Sequence, residues 1–381
     1  MSFDCAVIFA GPSLSGASRE FGPPIEMRPP ARRGDIYRVA LEEPRAILLI
    51  DGVFEDTPAV FHKEILWALT QGIHVFGAAS LGALRAAELD AFGMIGHGTI
   101  YEDYRHGRLE RDDAVAVLHG PAELGWPSLT TALVDMQATV REAERQGVIG
   151  PSDRLRLEAL ADGLYWRERT FDRLIDESTR LGFGSGCVTR LQSWLRDNAV
   201  SQKRADALGL IAMVEATWDR LDEPFTPSFR FEATHAWMEL TAEVDWERQG
   251  ISQAAYAILE HNLRSTGEFQ ALEAQALAMC LAERAFQAAG APVQASHLDQ
   301  AAREFRATRS LTTGQDVADW LKANALGHSD YLDLVKHTRY IQHLRASYRL
   351  SLATNIVRLL RSQGALPPLD HVLGVTRGSD R

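Results

Sequence analysis

The sequence has little cysteine, no long apolar run and no excess of basic residues, and each shortage excludes a class of protein. Its three cysteines, Cys5, Cys187 and Cys280, lie far apart and make neither a disulfide framework nor a Cys-x-x-Cys motif. No apolar run reaches the roughly 18 residues that a membrane-spanning helix needs. Forty Lys and Arg against 51 Asp and Glu leave a net charge of −11, whereas nucleic-acid binders are usually basic. These shortages predict a cytoplasmic protein that binds neither membranes nor nucleic acid.

The residues that are present are those of a globular protein. Apolar residues make up 46% of the 381 residues and charged residues 24%, which excludes a disordered or collagen-like chain. The first apolar run follows Asp4 and has no Lys or Arg before it, so it reads as a buried strand and not as a signal peptide. At about 150 residues per domain, the length suggests two or three domains.

Continuous apolar runs in the first 125 residues predict four β-strands, which are Cys5–Ala10, Ala46–Ile50, His74–Phe76 and Val115–Leu118. Helical patterns lie between them, at 58–70 and 81–92. Because the runs are continuous and not alternating, they favour a parallel sheet that helices cover on both faces. The first region is therefore predicted to be an α/β domain, and the pattern after Leu129 becomes helical.

The segment Pro224–Pro227 (PFTP) is the best linker candidate. We therefore expect an α/β core with a helical extension over 1–225, an all-helical domain over 226–366 and a loose tail over 367–381.

Polar or glycine-rich turns follow all four predicted strands. They are Gly11-Pro12-Ser13, Asp51-Gly52, Ala79-Ser80 and His119-Gly120. Since ligands bind outside the carboxyl ends of parallel strands, these groups are expected to meet at one edge of the sheet. His62-Lys63-Glu64 begins the helix after the second strand, where one or two of these side chains can face that edge.

Ser80 lies where a strand enters a small-residue turn and a helix leaves it. The turn resembles the Gly-x-Ser-x-Gly elbow of hydrolases, with Ala78 in place of the first glycine. The amides of Leu81 and Gly82 can stabilise an oxyanion, and Arg85 can bind a carboxylate or thiocarboxylate. Ser80 as a plain helix N-cap is equally compatible with the sequence.

Structural interpretations of the other groups also stay open. Arg85 and Glu88, three residues apart, can form a surface ion pair. Asp51-Gly52 is good turn chemistry, and His62 and His119 can be ordinary polar residues near turns. No spacing of His and Cys matches a zinc site, so neither a metal nor a cofactor is expected.

Taken together, these segments resemble the TfuA-like family, with Leu81 where methionine is expected in many relatives. The similarity covers roughly residues 5–145. The motifs that carry it are Gly11-Pro12-Ser13-Leu14, Pro29-Pro30-Ala31 with Gly34-Asp35-Ile36, Ile50-Asp51-Gly52, the segments 62–69 and 77–89, Gly72, Phe92-Gly93-Met94, Gly96, Gly98, and His119-Gly120-Pro121-Ala122-Glu123.

This resemblance implies an accessory role beside a YcaO enzyme in peptide-backbone thioamidation. Members of the family are implicated in hydrolysing the C-terminal thiocarboxylate of a ThiS-like sulfur carrier, which supplies sulfide to YcaO. The resemblance thus implies a sulfide-releasing hydrolase, with a YcaO protein, a sulfur carrier and a ribosomal precursor peptide as its partners. The alternative is a non-catalytic scaffold that activates YcaO or recruits a sulfur donor or precursor peptide.

Against that chemistry, Ser80 is expected to be the nucleophile or to position a water. Lys63 is the base or a counter-ion, and His62 is the rival base. Arg85 holds the thiocarboxylate, and either Asp51 or His119 orients the base.

Gly11, Ser13, Leu81 and Gly82 are expected to contact the substrate. The central geometric prediction is that the turn around Ser80 and the start of the helix that bears Lys63 open into one pocket.

The segment Tyr331–Gly364 is locally basic, with six Lys and Arg against Asp333. Its stripe of Tyr340, Leu344, Tyr348 and Leu352 fits a core-facing surface helix. A dock for an acidic leader peptide or for YcaO is the second interpretation.

Overall fold

Five parallel strands form one sheet in the order β2-β1-β3-β4-β5 in the computed structural model. The strands are β1 (Phe3–Phe9), β2 (Ile25–Arg28), β3 (Pro44–Leu49), β4 (His74–Ala78) and β5 (Ile95–His97). The structure describes residues 3–16, 25–53, 58–248, 253–288 and 295–365. Because the five strands are parallel, their carboxyl ends all lie at the same edge of the sheet.

Ten α-helices belong to the described part of the first 251 residues. They are α1 (Asp35–Ala40), α2 (His62–Thr70), α3 (Leu81–Leu89), α4 (Thr99–Arg105), α5 (Leu133–Arg145), α6 (Pro151–Gly163), α7 (Phe171–Arg180), α8 (Ser185–Asn198), α9 (Gln202–Ala216) and α10 (His235–Arg248).

Both faces of the sheet are buried, because successive strand side chains point in opposite directions. Val7 and Leu49 belong to a core that includes side chains of α1, α2, α3 and α5. Ile8 and Leu48 belong to a second core, which α9 closes with Leu210. Because both faces are buried, the central strands need apolar side chains at consecutive positions. The predicted parallel α/β fold is confirmed.

The prediction of a strand at Val115–Leu118 is wrong. Its apolar side chains are buried or half-buried, but its backbone groups form hydrogen bonds with side chains and not with a strand of the sheet. The carbonyl of Val115 accepts from Lys203 Nζ at 2.8 Å, and the Leu118 amide donates to Thr130 Oγ1 at 2.8 Å. The strands β2 and β5 were not predicted, because both are edge strands without a continuous apolar run.

Contacts divide the chain into two units, Met1–Ile251 and Ser252–Arg381. The Pro224–Pro227 segment, where a boundary was predicted, lies inside the first unit. The Phe225 amide donates to the Gly72 carbonyl at 2.8 Å, and Trp237 of α10 packs edge-on against Tyr37 at 5.2 Å between ring centroids. The predicted loose tail at 367–381 lies outside the described residues.

The second unit is helical, as predicted, over the residues described in it. Its helices are α11 (Gln253–Thr266), α12 (Phe269–Ala288), α13 (Ala295–Ala307), α14 (Gly314–Ala323), α15 (His328–Ser347) and α16 (Arg349–Ser362). Tyr340 packs against Phe286 at 4.8 Å between ring centroids. Tyr348 and Leu352 are 54% and 46% exposed, so only part of the predicted stripe faces a core. Across both units, no helix that can be described has the length and apolar character of a membrane span.

Glu64 is a fully buried carboxylate that joins the starts of two helices. It accepts from the amides of Gly34 and Tyr37 at α1, at 2.9 and 3.3 Å, and from Phe61 before α2 at 2.9 Å. Burial raises the pKa of Glu64 from 4.5 to about 6, although the three amide hydrogen bonds oppose the rise. The folded protein therefore binds this proton more tightly than the unfolded chain does.

We expect Glu64 to make the protein less stable as the pH rises from 4.5 to 6. Its contribution is fully present below pH 4.5, and about 2 kcal/mol of it is lost by the time the folded group has ionised. Urea unfolding at pH 4.5 and pH 6.5 measures this, with Glu64→Gln expected to lose that part of the pH dependence. Glu26→Gln, at an exposed ion pair with Arg28, is the control and should keep it. An unchanged pH dependence in Glu64→Gln would contradict the assignment.

Candidate active site

A cavity of about 710 Å³ opens at the carboxyl edge of the sheet. Its wall includes residues that follow the ends of four strands, namely Pro12, Pro30, Asp51 and Ser80. The remaining polar lining comes from Arg32, Arg85, Glu88, Glu110, Arg111, Asp112, His119 and Lys203. This is the place where a parallel sheet binds its ligands.

Asp51 anchors the turn that follows β1. Its Oδ2 accepts from the amides of Gly11 and Ser13, both at 2.9 Å, and its Oδ1 accepts from the Ser13 hydroxyl at 2.7 Å. The carboxylate is buried, and these three donors occupy both of its oxygens. Asp51, Gly11 and Ser13 therefore form one cross-strand clamp. None of the hydrogen bonds described for Asp51 orients a histidine or Lys63.

Lys203 is a buried cation that sequence reasoning did not find. It lies on α9, its side chain is 4% exposed, and its Nζ is 3.9 Å from Asp51 Oδ1. The ammonium donates to the Val115 carbonyl at 2.8 Å. No local pattern marks Lys203 as buried, because its partners come from distant parts of the chain.

Ser80 stands at a strained turn between β4 and α3. Its amide donates to the Ala78 carbonyl at 2.8 Å, which makes a γ-turn around Ala79 at φ +68°. That φ is costly for a residue with a Cβ. The predicted elbow is therefore present, with its strain one residue before the serine.

The Ser80 side chain does not act as an N-cap for α3. Ser80 is 7% exposed and lines the cavity. Its hydroxyl has no hydrogen-bond partner among the residues that can be described.

The two amides proposed for an oxyanion differ in their availability. The Gly82 amide donates to the Ile50 carbonyl at 3.2 Å, so it is already used. The Leu81 residue lines the cavity and begins α3, where an amide has no partner within the helix. Of the predicted pair, the Leu81 amide is the one with no hydrogen-bond acceptor among the described residues.

Arg85, Glu88 and His62 form a charged cluster beside the cavity. Arg85 donates to Glu88 Oε2 at 2.6 Å and to the Val60 carbonyl at 3.2 Å, and His62 Nε2 lies 2.8 Å from the same carboxylate oxygen. Burial opposes ionisation of Glu88, but His62 and Arg85 outweigh it and hold the pKa of that carboxyl below its usual value. The ion pair that the sequence left open is thus formed, and it engages part of the guanidinium proposed for the substrate.

Lys63 lies outside the wall of this cavity. Its ammonium donates to the Glu232 carbonyl at 2.7 Å and lies 5.0 Å from the centre of the Phe231 ring. Neighbouring residues on a helix point about 100° apart, so His62 reaches Glu88 while Lys63 faces the 231–232 segment. The expectation that Lys63 and Ser80 share one pocket is not met.

His119 lines the cavity with one ring nitrogen fixed by the backbone. Its Nδ1 lies 2.9 Å from the Gly120 carbonyl, so Nδ1–H is the donor and a neutral ring keeps Nε2 as an acceptor. The ring also packs edge-on against Trp126 at 5.1 Å. Such an imidazole has the tautomer of a general base.

The arrangement can support acyl-transfer chemistry, since it combines a partnerless hydroxyl, an oriented imidazole and a buried cation in one cavity. Within the ranges that the structure describes, no group of three or more His, Cys, Asp or Glu side chains is placed to hold a metal ion.

Comparison with known families matches residues 51–170 to the family described as TfuA-like protein. No curated protein matches the chain. The matched segment contains Asp51, Ser80, Arg85 and His119, and it supplies eight of the cavity's ten charged, histidine and serine side chains. Over residues 51–170 the chain is therefore similar to the TfuA-like family.

Proposed function

We propose that the protein hydrolyses the C-terminal thiocarboxylate of a small ThiS-like sulfur-carrier protein and releases sulfide for a YcaO thioamide synthetase. The observation that carries this proposal is the partnerless Ser80 hydroxyl at a strained turn, in one cavity with His119. The TfuA-like segment supports it, because that family is associated with YcaO-dependent thioamidation. The reaction takes place in the cytoplasm and uses no cofactor.

The proposed reaction proceeds through an acyl-serine. The Ser80 oxygen attacks the thiocarboxylate carbon, and its proton passes to His119 Nε2. The tetrahedral species collapses, the carbon–sulfur bond breaks, and His119 returns the proton to the sulfur, which leaves as hydrosulfide. Water activated by His119 then cleaves the acyl-serine. The net change converts a thiocarboxylate and water into a carboxylate, hydrosulfide and one proton.

The remaining predicted residues have supporting roles in this proposal. Asp51 with Gly11 and Ser13 fixes one wall of the cavity, and the Leu81 amide donates to the developing oxyanion. Arg85, Glu88 and His62 form a charged rim that contacts the carrier or its tail. A ribosomal precursor peptide binds to YcaO, to this protein or to both.

One observation favours a second candidate function, a scaffold that activates YcaO or recruits a sulfur donor without catalysing hydrolysis. No described side chain is hydrogen-bonded to the Ser80 hydroxyl, so the nucleophile and its base are not in contact in this state. Catalytic hydrogen bonds often tighten only when substrate binds, which is why hydrolysis remains our first proposal.

Replacing Ser80 with alanine is expected to lower sulfide release from a thiocarboxylated carrier by about 100-fold or more. The assay uses purified protein alone and then with YcaO. Ser178→Ala is the matched control, since Ser178 is also buried but its hydroxyl donates to the Ile175 carbonyl within α7. Undiminished release from Ser80→Ala would remove Ser80 from the chemistry. Release that requires YcaO would support the scaffold instead.

A further inference from the structure

Lys203 lies in the wall between two cavities. It lines the 710 Å³ cavity that holds Ser80 and also a second cavity of about 230 Å³. The second cavity carries the hydroxyls of Ser13, Ser128 and Ser201 and the carboxylate of Asp135. Because the residue is only 3% exposed, its charge is held in place and screened little by solvent.

Two of the three N–H donors on Lys203 are unused by the described residues. One donates to the Val115 carbonyl at 2.8 Å. The Asp51 carboxylate, at 3.9 Å, is beyond hydrogen-bond distance, and three other donors already occupy its oxygens. On the other side, Asp135 Oδ1 accepts from the Lys203 backbone amide at 2.9 Å.

The other cations of the first cavity are paired with carboxylates or lie at the protein surface. Arg85 is bound to Glu88 and the Val60 carbonyl, and Arg111 is bound to Asp113 and Asp162. Arg32 lines the cavity but its side chain lies at the protein surface. Among the described cations that line this cavity, Lys203 is therefore the one that is buried, and it still has donors to offer.

We propose that Lys203 is a further catalytic residue, which binds the anionic head of a thiocarboxylate substrate and stabilises the oxyanion in the role that the Gly82 amide cannot fill. The inference deepens the proposed hydrolysis and rests on it for the identity of the substrate. A thiocarboxylate resists attack because it already carries a negative charge. A fixed ammonium offsets that charge and the second charge that forms on oxygen when the carbon–oxygen bond to Ser80 is made. In this role Lys203 donates hydrogen bonds and transfers no proton.

A binding experiment on the wild-type chain tests the site without carrier or catalysis. The sequence contains four lysines, Lys63, Lys203, Lys322 and Lys336. An NMR spectrum of the protein labelled with ¹³C at lysine Cε therefore has few signals. Titration with thioacetate is expected to shift the signal of Lys203, which is assigned by its loss in Lys203→Arg. A Lys203 signal that does not move while the protein binds thioacetate, or no binding of thioacetate at all, would overturn the inference.

Variants then separate charge from fold. Lys203→Met is expected to weaken thioacetate binding at least 10-fold and to lower kcat for sulfide release about 100-fold. Lys203→Arg should restore binding to within about threefold, since the charge remains. Lys336→Met, at an exposed lysine in the second unit, is the control and should bind as the wild type does.

The outcomes distinguish this inference from the proposed function. If the wild type releases no sulfide but binds thioacetate through Lys203, the anion site stands and the hydrolase proposal fails. If the wild type releases sulfide and a folded Lys203→Met releases it equally fast, the hydrolase stands and the role of Lys203 is refuted. Thermal melting identifies a variant that does not fold, and the wild-type titration then decides.

Discussion

Asp51→Ala is expected to lower the free energy of unfolding by about 3–5 kcal/mol, because it leaves a buried charge without its counter-ion. The carboxylate that is lost accepts from the amides of Gly11 and Ser13 and from the Ser13 hydroxyl. It also lies 3.9 Å from the ammonium of Lys203. The variant therefore strands three donors and a cation in the protein interior, where each unpaired group is costly.

A double-mutant cycle measures how much of this loss belongs to the pair. Lys203→Met alone removes the cation and leaves the three donors of Asp51 in place, so its cost is expected to be smaller. The double variant should lose less than the sum of the two single losses, by about 1–3 kcal/mol. Asp176→Ala, at an exposed position of α7, is the control and should stay within about 0.5 kcal/mol of the wild type.

Urea unfolding gives the four free energies. A loss below about 1 kcal/mol in Asp51→Ala would show that the clamp between β1 and β3 does not stabilise the fold, and strictly additive losses would show that Lys203 is indifferent to Asp51.

The central strands of the sheet could be predicted because burial on both faces leaves a mark in the local sequence. Ala46–Ile50 is apolar at every position, and its side chains belong to two cores on opposite faces of the sheet. The edge strands β2 and β5 have no such run, since each pairs on one side alone. At Val115–Leu118 a strand was predicted where none exists. This apolar segment lies in the wall of the cavity and does not pair with the sheet.

The part of the candidate site that could be predicted consists of polar residues that directly follow the ends of strands. Asp51 and Ser80 occupy the cavity for the reason that the sequence suggested, and His119 reaches it although no strand precedes it. Lys63 and Lys203 were not predictable. The direction of the Lys63 side chain depends on the distant 231–232 segment, and Lys203 reaches Val115 across 88 positions of the chain. Local patterns contain neither fact.

Gly82→Ala should be the most damaging exchange of a single hydrogen for a methyl group in this site. A Cβ at Gly82 would lie 1.7 Å from the carbonyl oxygen of Leu49 and 2.6 Å from its carbonyl carbon, both of which are backbone atoms of β3. Side-chain rotation cannot relieve such a contact, so α3 has to move away from the sheet. We expect a loss of about 3 kcal/mol or more in the free energy of unfolding.

The same movement should disable the site, because Ser80 immediately precedes α3 and Leu81 is its first residue. Sulfide release from Gly82→Ala is therefore expected to fall at least as far as from Ser80→Ala, even at temperatures where the variant stays folded. Gly186→Ala is the matched control. It lies in α8 with no neighbour closer than 3.6 Å to the added Cβ, so helix propensity should stabilise it by about 0.5–1 kcal/mol. If Gly82→Ala had the same midpoint of urea unfolding as the wild type, the close contact between α3 and β3 would be refuted. The rigid placement of Ser80, on which the proposed chemistry depends, would be refuted with it.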